Sequence, residues 1–127
     1  MNREISEQIQ EYIEELKRDP VIIIVEGNKD KKALERLGID KDFILTLKKP
    51  FYKIVEEIQE FGECAILTDL DKKGKLYYEK FNSILPQRGV KINNRLRHFL
   101  FKKTKLRQIE GLHTFVKNYD LEMPIFI

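Results

Sequence analysis

Five consecutive apolar residues, Val21-Ile22-Ile23-Ile24-Val25, interrupt an otherwise amphipathic chain. A run of β-branched side chains with no polar alternation suits a strand covered on both faces, the arrangement of a parallel sheet. Ahead of it, Ile5, Ile9, Tyr12, Ile13 and Leu16 recur at helical spacing and predict an amphipathic helix, which Asp19-Pro20 ends. Behind it, Leu34 and Leu37 give a short helical face closed by Gly38. Phe43 to Leu47 predicts a second strand. Pro50 suits the first turn of a helix whose core side is Phe51, Ile54, Val55, Ile58 and Phe61, and Gly62 stops it. Cys64 to Thr68 predicts a third strand; Tyr77, Phe81, Ile84 and Leu85 form a helical stripe before Pro86. Val90 to Ile92 reads as a short fourth strand. Asn94 is expected to cap a helix carrying Leu96, Phe99 and Leu100, and Leu112, Phe115, Val116 and Tyr119 mark a last one.

Strands alternating with helices at this spacing predict an α/β fold with a four-stranded parallel sheet flanked by helices. At 127 residues with 42% hydrophobic content, one domain is expected. Within it, residues 1–19 form an N-terminal helix packed on a body of residues 20–110. Residues 111–127 supply the last helix and an apolar tail, Met123-Pro124-Ile125-Phe126-Ile127, that either docks on its own core or forms an interface. The longest apolar run falls far short of the roughly 20 residues of a membrane span. The polar start does not resemble a signal peptide, and the lone Cys64 suits a reducing compartment, so a cytoplasmic protein is expected.

Charge changes the picture. Between Arg88 and Lys117 stand nine basic residues and one acid, Glu110, a balance of +8, whereas the remainder holds 15 basic and 20 acidic residues, or −5. A basic third beside an acidic remainder suggests a basic C-terminal helical extension that binds a polyanion. Arg88, Arg95, Arg97, Lys102, Lys103, Lys105 and Arg107 are the candidate phosphate contacts, with Phe101 the best-placed aromatic for base stacking.

Ligands of open parallel sheets sit beyond the carboxyl ends of the strands, where strand order reverses. The first strand ends in Glu26-Gly27, with Asp30 four residues beyond Glu26; the third ends in Asp69-Leu70-Asp71, followed by Gly74. If Asp69 and Asp71 alternate as on a strand, they converge while Leu70 packs. Gly27 and Gly74 are expected to relieve crowding where backbone turns or approaches a ligand. Clustered carboxylates repel unless a proton or cation intervenes, and a hard divalent cation with oxygen ligands is the natural occupant. The bridging of these acids requires the first and third strands to be neighbours, in strand order 2-1-3-4.

Val25-Glu26-Gly27-Asn28-Lys29-Asp30 and Asp69-Leu70-Asp71-Lys72-Lys73-Gly74 resemble the two signature motifs of the Toprim domain. That Rossmann-like domain is shared by topoisomerases, bacterial-type primases, recombination proteins, overcoming-lysogenization-type nucleases and small ribonucleases that mature ribosomal RNA. The resemblance spans roughly residues 20 to 110, about one domain. It implies Glu26 as general acid/base and metal ligand, Asp69 and Asp71 as magnesium ligands, and Gly27, Asp30 and Gly74 in support. Manganese would be the substitute ion. The implied function is magnesium-dependent cleavage of phosphodiester bonds in RNA or DNA by a small nuclease. The alternative is a non-catalytic nucleic-acid-binding module, working with a protein partner or a second copy of itself.

Other candidates have plainer readings. Tyr77 falls on the core stripe with Phe81, and Tyr78 is expected at the surface. Cys64 reads as an inert buried thiol, and His98 and His113 lack the cysteine partners of a structural zinc site.

Overall fold

The computed structural model describes residues 2–19 and 21–122; Pro20 and the apolar tail from Met123 to Ile127 lie outside the described residues. Helix α1 (Asn2–Arg18) leads into β1 (Ile22–Val25), α2 (Asn28–Arg36), β2 (Ile44–Thr46), α3 (Phe51–Phe61) and β3 (Glu63–Ile66). Then come α4 (Lys72–Ile84), β4 (Lys91–Ile92), α5 (Arg95–Lys103) and α6 (Leu112–Glu122). Three 3-10 turns, Lys41–Phe43, Pro86–Arg88 and Ile109–Gly111, tighten the connections. Among the described residues no helix is long and apolar enough to cross a membrane.

All strand pairs are parallel, and the sheet order is β2-β1-β3-β4. This is the expected neighbourhood of the first and third strands, with Ile23 opposite Ala65 and Ile24 opposite Ile66. The apolar run of β1 divides by alternation. Ile23 and Val25 pack with Ala65 and Leu67 under residues of α1, α2, α5 and α6. Ile22 and Ile24 pack with Cys64 and Ile66 under α3 and α4. No polar side chain interrupts β1 because helices cover both of its faces.

From β1 the chain moves to β2 by α2 on one face, then returns past β1 to β3 by α3 on the other. The direction therefore reverses between β1 and β3, and their carboxyl ends open the crevice where such sheets hold ligands. Gly62 ends α3 in the left-handed region at φ 74°, which lets the chain turn directly into β3.

Two packing expectations change. Tyr78, not Tyr77, joins the α3–α4 core, one helical step (about 100°) round from the expected stripe. Asn94 occupies the N-cap of α5 without capping it through its side chain; its Nδ2 donates instead to Tyr78 Oη at 3.0 Å.

Candidate functional site

Glu26 leaves the end of β1 half-buried, and its Oε2 accepts the backbone N–H of Asp69 at 2.7 Å. That hydrogen bond ties together the two sheet edges predicted to meet. Burial is the largest influence on the Glu26 carboxyl and pushes its pKa up. The backbone N–H of Asp69 opposes the shift, and the charges of Asp69 and, more weakly, Asp71 add to it. Asp69 is itself held by the 3-10 turn Ile109–Gly111, whose first N–H donates to Asp69 Oδ1 at 2.9 Å.

Asp30 is buried, and its Oδ2 accepts the Gly27 N–H at 3.1 Å, so it anchors the first turn of α2 from the inside. Burial again leads in raising its pKa, with Asp69 and Glu110 adding negative charge; the N–H groups of Gly27 and Glu110 oppose the rise. The short turn whose Ile109 N–H holds Asp69 therefore also acts on the Asp30 carboxyl. Glu26, Gly27, Asp30, Asp69, Gln108 and Glu110 line a shallow cavity of about 310 Å³.

Asp69 and Asp71 are not brought together by strand alternation. The β3 ladder ends at Ile66, so the alternation of a strand no longer holds at 69–71. Asp71 is the exposed N-cap of α4, its Oδ1 accepting the Gly74 N–H at 2.8 Å. Among the described residues no three His, Cys, Asp or Glu side chains are grouped to hold a metal ion. In the acid cluster Glu26 and Asp69 are joined through the Asp69 N–H, Asp30 is buried beside them, and Glu110 and Asp71 are exposed.

Arg97 departs furthest from expectation. It is not a surface phosphate contact but a buried arginine, 4% exposed. Its Nη1 donates to the carbonyl and hydroxyl of Thr68, and its Nη2 to the Asp69 carbonyl at 3.1 Å and the Gly74 carbonyl at 3.4 Å. Its guanidinium also lies over the Tyr78 ring, 4.7 Å from the centroid. Buried Thr68 completes the knot by donating from Oγ1 to the Gly74 carbonyl at 2.7 Å. Desolvation lowers the Arg97 pKa, while Tyr78, Glu26, Asp69 and Asp71 hold it up. Arg97 thus fixes the backbone that presents Asp69 and places positive charge behind the acids.

The two glycines also separate. A Cβ on Gly74 would meet the Asp69 carbonyl oxygen at 1.8 Å, so α4 can begin against this loop only with glycine there. Gly27 has extended torsions (φ −151°, ψ −174°), and an added Cβ meets nothing within 4 Å. The chain's own atoms therefore do not crowd Gly27.

The remaining basic residues do not share one face. Arg88 sits in the turn before β4, at the amino end of the sheet, opposite the acids. Arg95 pairs with Glu15 of α1. Lys102, Lys103, Lys105 and Arg107 are exposed along the end of α5 and the loop after it. That loop touches the acid edge directly, since the Arg107 carbonyl accepts the Leu70 N–H at 2.6 Å. Away from the site, burial pushes the Cys64 thiol up to about 12, in keeping with an inert core residue.

Glu110, Gln108 and Thr68 belong to the site but were not candidates. Only Glu110 carried a signal, as the single acid among nine bases.

A consequence for stability follows from Glu26. Because its pKa is raised on folding, ionising it costs stability at neutral pH, and that cost fades as pH falls through the raised value. Glu26→Gln removes the charge while the amide oxygen keeps an acceptor for the Asp69 N–H. In metal-free buffer the variant should melt above the parent at neutral pH. The gap should narrow with acidification and vanish below the ordinary carboxyl value of 4.5. Thermal melts at several pH values check this; a gap independent of pH would mean that folding does not raise the Glu26 pKa.

No protein-family model matches the chain. A UPF0292 protein of Methanocaldococcus jannaschii is 36% identical over 119 residues, covering 89% of this chain and 93% of that relative. A UPF0292 protein of Methanosarcina barkeri is 34% identical over 124 residues, covering 91% and 85% respectively. A solved structure of a protein from Aquifex aeolicus aligns with a TM-score of 0.71 at 31% identity, covering 80% of this chain and 94% of that one.

Proposed function

This chain belongs to the UPF0292 family, and we propose that it is a Toprim-type protein that cleaves phosphodiester bonds of nucleic acid with a divalent metal ion. The observation that carries the reading is the Glu26–Asp69 pair. Two carboxylates from different motifs meet at the reversal point of a parallel sheet, tied by one backbone hydrogen bond.

The donor set fits magnesium in its usual mode, in which one or two carboxylates bind and waters and substrate phosphates complete the shell. Asp69 and Glu26 would hold the ion, and Asp71 at the rim has its second oxygen to offer, directly or through water. When bound, the metal supplies positive charge against the phosphate and its leaving oxygen. The chain's own residues do the rest. Glu26, half-buried at the end of β1 and held to the Asp69 N–H, would move a proton at the reacting oxygen. The Ile109 N–H holds Asp69 in position, and Arg97 keeps the Asp69 carbonyl turned inward, away from substrate. Lys105 and Arg107, exposed on the loop against the acid edge, would meet the phosphate backbone.

The test is incubation of the purified chain with structured RNA, single-stranded DNA and duplex DNA, with magnesium or manganese and with chelator. Cleavage that requires the metal is expected. A protein that binds these polymers without cutting any of them is a binding module instead.

A further inference from the structure

Phe101 lies off the core face of α5. Leu96 and Leu100 are buried and Phe99 packs beside them, but Phe101 is 45% exposed. Two cations lie against its ring: Lys75 Nζ from α4 at 4.6 Å from the centroid, and the Arg107 guanidinium from the following loop at 5.4 Å. Beside it runs a groove of about 370 Å³ between α4 and α5, whose walls include Lys75, Tyr78, His98, Phe101 and Lys102.

We propose that this groove is a stacking subsite for an unpaired nucleobase, with Phe101 as the platform and Lys75, Lys102 and Arg107 on the flanking phosphates. The inference rests on the nucleic-acid reading above and narrows its substrate class to single strands or substrates with a single-stranded segment. An exposed aromatic ring among cations has the chemistry that single-stranded nucleic acid selects, since every base offers a π-face and every linkage a charge. A base pair within a duplex presents no free face to such a ring. The cations now over the ring would move outward to phosphates as a base takes their place. The charge of the groove complements a polyanion; among these walls only Glu79 is acidic.

The position of the groove connects it to the acids. Arg97 is shared between them: its guanidinium covers Tyr78 on the groove side while its Nη2 donates to the Asp69 carbonyl on the other. Arg107 links them a second time, with its side chain at Phe101 and its carbonyl on the Leu70 N–H. A strand stacked on Phe101 therefore passes one arginine away from the Glu26–Asp69 pair.

The experiment uses the full chain in chelator, where nothing is cut, with oligonucleotides carrying 2-aminopurine in single-stranded and duplex form. Parallel ribose and deoxyribose arms tell which polymer is preferred. Binding of the single strand should quench the 2-aminopurine, and Phe101→Ala should weaken that binding by about 5- to 100-fold and abolish the quenching. Phe101→Trp should preserve both, and duplex affinity should change little. Melting curves confirm that these surface variants remain folded. Parental affinity and quenching in Phe101→Ala overturn the subsite, as does an equal loss for duplex. If the parent binds neither form, this proposal and the nucleic-acid reading fall together. Quenching without metal-dependent cleavage in the separate assay supports the subsite and removes only the catalytic assignment.

Discussion

Glu26→Gln should slow metal-dependent cleavage by about 100-fold or more, the usual contribution of a general acid or base, while the protein stays folded. The substitution preserves shape and an acceptor for the Asp69 N–H, the hydrogen bond that ties β1 to the 69–71 loop. It removes the titrating proton, and with it the repulsion against Asp69. Asp69→Asn is the counterpart. Its amide oxygen can still accept the Ile109 N–H, so the turn at 109–111 stays in place, but a charged oxygen ligand is lost. Metal affinity should therefore fall more in Asp69→Asn than in Glu26→Gln, whereas proton transfer should suffer more in Glu26→Gln. Calorimetric metal titration and single-turnover rates separate the two effects. Parental cleavage by Glu26→Gln would leave Glu26 a structural acid, and parental magnesium affinity in Asp69→Asn would remove the metal assignment. Asp71→Asn should have the mildest effect of the three, because one of its oxygens already caps α4 and it faces Glu26 only weakly.

The elements that sequence reveals well are those set by periodicity. An unbroken β-branched run can be buried only between two layers of helices, and β1 is. Once both acidic motifs were placed at strand ends, their meeting required β1 beside β3, and that neighbourhood is observed. What composition hides is direction. Nine bases in thirty residues define a charged segment, but nothing in their spacing says that Arg97 turns inward while Lys102 and Lys103 turn out. The inward turn depends on carbonyls of residues 68, 69 and 74, between 23 and 29 positions earlier, that need a donor after the strand ends. The local setting of Asp71 is hidden for a related reason. Alternation applies only while the ladder lasts, and a residue three before Gly74 at a helix start is better read as a cap. Tyr77 and Tyr78 differ by one helical step, and Asn94, Arg97 and His98, distant in sequence, gather around Tyr78.

Gly74→Ala should destabilise the protein severely, and Gly27→Ala hardly at all, although each glycine stands at the helix start of one of the two motifs. At Gly74 the added methyl would lie 1.8 Å from the Asp69 carbonyl oxygen and 2.4 Å from its carbon, where real contacts stay above 3.0 Å. Both partners are backbone, so relief requires α4 to move away from the loop by more than an ångström. That movement stretches the Thr68 and Arg97 bonds to the Gly74 carbonyl and the Asp71 cap on the Gly74 N–H. Overpacking together with weakened buried hydrogen bonds should cost on the order of 3 kcal/mol or more, a fall in Tm of about 10 °C or more for a chain of this size. At Gly27 the torsions suit alanine and the space is open, so gains from a stiffer unfolded chain and losses at the helix N-cap should leave stability within about 1 kcal/mol of the parent. Thermal melting of the two variants side by side checks the contrast. Arg97→Lys gives an independent reading of the same knot, because an ammonium cannot span the Thr68, Asp69 and Gly74 carbonyls as a planar fork does. It should fall between the two glycine variants in stability. Gly74→Ala melting with the parent would mean that α4 does not start against the Asp69 carbonyl, and the loop presenting that carboxylate would have to be drawn differently.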